Sequence, residues 1–490
     1  MQSANLKKPV QDQKALQSSK QEDKKSSVAA PRAPVRVQVV TPPTQATLSS
    51  TLLKKLELVK QPLDFNNPDK QLKEKSDRLA IISELSQALS DQNLTNTVIV
   101  PNFEAIFQAI ETSIFRPLPP DQQVGPAEDM QENRAEEPEP VWWPHVQPVY
   151  ELLLQLVMNE SLDHKVLKVV VSARFMTEYM TLFDAAYDRE REYVKNILHR
   201  LYAKIVPRRK MIRKMVTDTF SSLIHERVKL NGCAELLDIM AAIISGFAVP
   251  LREEHIKFHN SVIVALHKVQ SSTQFHQELL RCSMLFVSKD PSLAIDLMKG
   301  LLRFWPFANY QKETKFLQEL YEVLDVVEVG KIEPILPQLF KQVTKCIASP
   351  HLQVADQALC FFENEFFLSL VRKYKNIALP TLVPVINHFA DTHWHKLLQD
   401  SLCAVRQMLK DIDTSAFDKI IKNKESCGYS ILESDVQNKS REAKEKQWGD
   451  LIRKAKQRVP GVSLPVAPYN PTILAGDFNG LNNHDIILVD

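Results

Sequence analysis

Glycine is scarce in this chain: there are 10 in 490 residues, and none lies between Pro126 and Asn231. Strands joined by tight turns and loops that cradle phosphates both need glycine at positive φ, so the gap argues against both and favours helix packed on helix. The cysteines are unpaired by spacing. Cys233, Cys282, Cys346, Cys360, Cys403 and Cys427 lie far apart with no C-x-x-C, as reduced thiols of a cytosolic or nuclear protein would. No apolar run approaches the roughly 18 residues of a membrane span, and the opening "MQSANLKKPVQDQKALQSSK" has no signal-peptide core. Charge of one sign is missing too: 61 Lys and Arg against 59 Asp and Glu leave a net +2, so any electrostatic site has to be local. These absences predict a soluble intracellular protein, cytoplasmic with the nucleus also open to it, binding neither membrane nor nucleic acid.

Catalytic signatures are lacking as well. No G-x-x-x-x-G-K-[ST], G-x-G-x-x-G or G-x-S-x-G motif occurs. A cysteine-phosphatase loop needs Arg six residues after its nucleophile, but those positions hold Ile239, Ser288, Leu352, Phe366, Leu409 and Glu433. His255 and His259 in "EEHIKFH" have a metal-compatible i, i+4 spacing, while His393 and His395 in "THWH" stand two apart and cannot aim at one ion from a helix. Neither pair has cysteines at structural-zinc spacing. The expectation is a non-enzyme with no cofactor and no metal.

What the chain does contain is helical periodicity. Residues 1-70, rich in Lys, Gln, Ser and Pro, read as a disordered tail. Apolar-periodic stretches then alternate with short breaks over 71-412, interrupted by an acidic, Pro-rich loop at 116-144. Several breaks carry start or stop chemistry: Pro207, Asn231-Gly232 with Gly232 as a helix C-cap or turn residue, Pro250, Asp290-Pro291 and Ser349-Pro350. Paired, the helices give units of roughly 40 residues, which predicts an all-α, HEAT-like α-solenoid of about seven to eight antiparallel pairs over a globular bundle. A charged helical extension anchored by Trp448 follows at 413-457, then a disordered tail at 458-490.

One stretch stands out. "NILHRLYAKIVPRRKMIRK", Asn196 to Lys214, holds seven Lys or Arg and no acid, while Leu198, Leu201 and Ile205 keep core spacing. A solvated basic face is the bland alternative. Arginine next to the Pro207 turn suits bidentate recognition of carboxylate or phosphate, and the next hairpin repeats the theme with Ile239, Ile243, Arg252 and His255. Equivalent positions of adjacent units lie side by side in a solenoid, so an apolar pocket is expected beside a cluster of Arg and His. A short acidic peptide with spaced aliphatics would fit it. Only Tyr202 offers a stacking ring in the basic stretch, which weakens a nucleic-acid reading.

Five runs, "WPHVQPVYE", "REYVKNILHRLYAK", "NGCAELLDIMAAIISGFAVPLREEH", "SPHLQVADQALCFFENE" and "DTHWHKLL", make the chain resemble the B-prime (56-kDa class) regulatory subunits of protein phosphatase type 2A, from about Val141 to Ile412. The resemblance implies a HEAT-like solenoid that bridges a scaffold and a catalytic subunit and captures L-x-x-I-x-E motifs. It carries the family's groove onto His199, Arg200, Tyr202, Arg209, Asp238, Ile239, Ile243, Arg252 and His255. Tyr202, Ile239 and Ile243 would receive aliphatics, Arg200, Arg209 and His255 would face anions, and Arg252 would favour a phosphorylated residue. Asn196 stands where the family commonly has Thr, Asp238 replaces Glu, and Arg252 replaces Lys. A transport receptor or generic adaptor of the same fold is the alternative function.

Overall fold

In a computed structural model the described residues are 45-118, 139-226, 229-307, 309-328, 330-425 and Arg453. The N-terminal 44 residues, most of the acidic loop, Cys427, Trp448 and the C-terminal tail lie outside them. All regular structure among the described residues is helical. The helices are α1 (Gln45–Val59), α2 (Leu72–Ser90), α3 (Gln92–Leu94), α4 (Phe103–Ile114), α5 (Trp143–Met158), α6 (His164–Val170) and α7 (Ala173–Thr181). Then come α8 (Asp188–Lys204), α9 (Arg209–His225), α10 (Cys233–Ser245), α11 (Glu253–Phe258), α12 (Val264–Leu266), α13 (His276–Lys289) and α14 (Leu293–Arg303). The chain continues with α15 (Tyr310–Leu324), α16 (Leu336–Ile347), α17 (Leu352–Leu359), α18 (Glu365–Lys373), α19 (Lys375–Thr392), α20 (Lys396–Ile412) and α21 (Thr414–Glu425).

Two layers run side by side. Helices α2, α5, α8, α10, α13, α15, α17 and α20 pack in that order in the first, and α9, α12, α14, α16, α19 and α21 in the second. This sequential pairing is the expected solenoid. A continuous apolar core separates the layers, with Trp143, Tyr150, Phe183, Phe220, Phe286, Phe316 and Phe340 fully buried in turn. Helix α1 falls where the sequence suggested tail, yet Leu52, Leu56 and Val59 are buried against α2 and α4, so the helical array begins earlier than residue 71. Their i, i+4, i+7 spacing is short enough to be lost in the polar composition around it.

The breaks form as local chemistry dictates. Asp290 Oδ1 accepts from the Ser292 amide at 3.0 Å ahead of α14, and Ser349 Oγ accepts from the His351 amide at 3.2 Å ahead of α17. Gly232 does a different task from the one expected. It is the N-cap of α10 at φ −89°, and a Cβ there would stand 2.4 Å from the Phe183 carbonyl oxygen. Close approach, not positive φ, demands glycine here.

Lysines staple successive units. Lys204 donates to the Val157 and Asn159 carbonyls at the end of α5, and Lys289 to the Ser245 and Phe247 carbonyls at the end of α10. Lys312 bonds the Val269 carbonyl in the same way. Each satisfies orphan helix-end carbonyls of the unit before it, at separations of 42 to 47 residues, which is the repeat period.

Candidate functional site: a cleft between two hairpin turns

The last turn of α8 and the last turn of α10 face one another across the units that carry the basic stretch. α10 ends on Ser245 and supplies no lysine to the end of α8. Arg209, opening α9 after the Val206–Arg208 3-10 turn, fills that role instead: its Nε and Nη2 donate to the Tyr202 and Ala203 carbonyls, both at 2.9 Å. Its guanidinium also lies 5.3 Å from the Tyr202 ring centre. Where the usual staple is missing, a cleft of about 480 Å³ opens.

Tyr202 and Ala203 from α8, Arg209 and Arg213 from α9, and Ala242, Ile243 and Gly246 from α10 line one wall. Phe247, Ala248, Pro250, Arg252, Glu254 and His255 line the other. Arg213 Nη1 donates to the Tyr202 hydroxyl at 3.1 Å, which holds the ring and leaves the guanidinium facing the cleft. His255 lies parallel on Phe247, ring centres 3.7 Å apart at 3°. Glu254 is the single carboxylate of the lining, 3.5 Å from His255 Nε2 and 4.0 Å from Arg213 Nη2. Three guanidiniums, one carboxylate, an aliphatic floor at Ile243 and two aromatic rings thus share one opening.

Burial lowers the pKa of His255; Arg213 and Arg252 push it further down, while Glu254 pulls it back. His255 therefore meets a ligand at neutral pH as an uncharged ring, and the positive charge of the cleft rests on the arginines.

Of the residues expected from sequence, Tyr202, Arg209, Ile243, Arg252 and His255 come together here. The others stand elsewhere. His199 and Arg200 are exposed on α8 outside the lining, Ile239 is buried in the core, and Asp238 is held by Lys195 at 3.3 Å and Arg281 at 3.6 Å. Arg213, Phe247 and Glu254 belong to the lining and were not singled out. Arg213 had a signal, its i+4 spacing from Arg209, whereas the Phe247–His255 stack depends on how the loop after α10 folds.

The histidine pairs are spoken for. His259 is buried with Nδ1 at 2.8 Å from Asn260 Oδ1, away from His255's stack, and His393 Nδ1 accepts from the His395 amide at 3.1 Å. One other group, His267, His276 and Glu319, brings ligand-type atoms within 4.8 Å of one another. Glu319 Oε2 lies 3.0 Å from His267 Nε2 and 3.5 Å from His276 Nε2. His276 Nε2 also faces the Lys315 carbonyl at 3.1 Å, so this nitrogen carries a proton and cannot ligate a metal. The group reads as a buried ionic knot between α12, α13 and α15.

Residues 38–455 match the family described as "Protein phosphatase 2A regulatory B subunit (B56 family)". The chain belongs to the B56 family. It is 36% identical over 374 residues to the beta isoform of the 56 kDa regulatory subunit from Homo sapiens, covering 76% of this chain and 74% of that one. It is 35% identical over 376 residues to the B' theta isoform of the 57 kDa regulatory subunit from Arabidopsis thaliana, covering 76% and 75%. It is 32% identical over 424 residues to the delta 1 isoform of the 56 kDa regulatory subunit from Schizosaccharomyces pombe, covering 86% and 75%. As a B56-family regulatory protein of protein phosphatase 2A, the chain is non-catalytic. No described helix is long and apolar enough to cross a membrane.

Proposed function

We propose that this B56 protein joins the scaffold and catalytic subunits of protein phosphatase 2A and selects substrates by holding an L-x-x-I-x-E segment in the cleft between the α8–α9 and α10–α11 turns. The observation that carries this reading is the convergence of Ile243 and Tyr202 with Arg209, Arg213 and Arg252 around one opening. Aliphatic residues of the motif fill the Ile243–Tyr202 side, and its glutamate meets a guanidinium. His199, Arg200, Asp238 and Ile239 act, if the family's groove carries over whole, from beyond the cleft or through the core beneath it.

Each charge-assisted hydrogen bond contributes about 1.5–3 kcal/mol. Two of these and two filled pockets, set against the entropy of association, give affinity on the order of micromolar. Such affinity suits the turnover of many substrates. Arg209→Ala is a poor test, because it strips the α8 end of its cap together with the ligand contact. Arg252 is exposed and Arg213 bonds only a hydroxyl and a distant carboxylate, so these two separate recognition from stability. In calorimetry with an L-x-x-I-x-E peptide, Arg213→Ala with Arg252→Ala is expected to weaken binding about tenfold or more, with the melting temperature kept. Unchanged affinity in the double variant refutes the cleft assignment.

A further inference from the structure

The array has an open end at α20. The core side of this helix, Leu398, Leu402, Val405 and Leu409, is buried. A second apolar stripe lies about 100° further round: Leu397 is 72% exposed, Met408 is 39% exposed, and Ala404 between them is exposed. Trp394, 68% exposed, extends the stripe past the first turn. It is not a loose side chain, since His393 stacks on one side at 5.7 Å, His395 meets it edge-on at 5.3 Å, and the His395 amide bonds back to His393. Earlier helices of the first layer have a following helix to pack against, and α20 is the last of that layer among the described residues. Asp400 and Asp411 stand exposed along one side of the stripe.

Helix α21 starts after Asp413 alone and packs on both α19 and α20, so it runs back along α20. Its 12 residues advance about 18 Å, against about 26 Å for the 17 of α20. The chain therefore leaves Glu425 heading for the end of α20 that carries Trp394 and Leu397. Residues 426-437 can span up to about 40 Å, which is ample. Next comes 438-458, "NKSREAKEKQWGDLIRKAKQR", where Trp448, Leu451, Ile452 and Ala455 fall at i, i+3, i+4 and i+7. Eight Lys or Arg against three acids surround that stripe. The B56 match itself continues to residue 455, well past α21.

We propose that residues 438-458 form one more helix of the first layer and close the array, laying Trp448, Leu451 and Ile452 on Trp394, Leu397 and Met408 with the basic flank beside Asp400 and Asp411. A solenoid end needs a helix that is apolar on one side and polar on the rest, and this segment has that pattern. The docking is independent of the motif cleft.

Hydrogen exchange of α20 in the full chain tests it with Trp448→Asp, Leu397→Asp and the double variant. Each single change is expected to speed α20 amide exchange about tenfold, and the double change to add little, because both break the same contact. A pair of cysteines, Met408→Cys with Leu451→Cys in a Cys427→Ser background, is expected to cross-link within one chain under mild oxidation. Unchanged α20 exchange in Trp448→Asp overturns the proposal, as do additive effects. A cross-link between chains gives the face to a second copy. Protection that arrives only with the scaffold and catalytic subunits gives it to them, and either result overturns the proposal.

Discussion

Glu190 shows how single residues hold the loop-bearing end of the array. It is 1% exposed and accepts both arms of Arg116, at 2.8 and 3.0 Å, and the Tyr150 hydroxyl at 2.7 Å. Arg116 in turn lies 4.3 Å over Trp142. One carboxylate thus ties residues on both sides of the acidic loop to the first turn of α8. A buried charge is tolerated only while it is paired, and removing one partner strands the other. Glu190→Ala is expected to destabilise the fold by about 3 kcal/mol, read as a lower urea midpoint at constant m. A loss below about 1 kcal/mol would mean that water reaches Arg116 and replaces the carboxylate. None of this was legible in the chain, where Arg116 and Glu190 stand 74 positions apart.

At the scale of elements, the breaks were readable because their chemistry is local. Pro207, Pro250, Asp290 and Ser349 act on their own backbone or on residues two positions away, and the helices end or begin beside them. Gly232 was readable as a break but not in its reason, since the Phe183 carbonyl that crowds it arrives from another hairpin. Gly232→Ala forces that carbonyl or the start of α10 to move, with an expected cost of about 1–3 kcal/mol. Thermal unfolding checks it; an unchanged melting temperature would show that the α7–α10 junction yields freely. The α8 end makes the same point. Arginine near the turn suggested a ligand contact, and the structure adds a cap, because helix-end carbonyls compete for the same donors as a bound anion.

For the molecule as a whole, the buried knot of His267, His276 and Glu319 joins three units and sets a pH response. Burial holds the pKa of His276 down to about 4 despite the pull of Glu319. Between there and the ordinary histidine range near 6.5, the unfolded chain binds a proton that the folded one refuses. Stability from this residue is therefore full above about pH 6.5 and drains away as pH falls toward 4. Burial alone would raise Glu319, but His267 and His276 outweigh it and hold that carboxyl below its usual range, so its contribution is lost at still lower pH. Denaturant midpoints taken from pH 7.5 to 5 should fall, and His276→Gln should flatten the fall; an equal slope in the variant would place the titrating group elsewhere. The sequence by itself determined the helix-on-helix class, the breaks and the repeat period, because glycine scarcity, apolar spacing and cap residues act within a turn or two of chain. Only the tertiary structure decided which side chains share the cleft, separating Tyr202, Arg213 and Ile243 from Arg200 and Asp238, because that choice depends on how neighbouring hairpins pack.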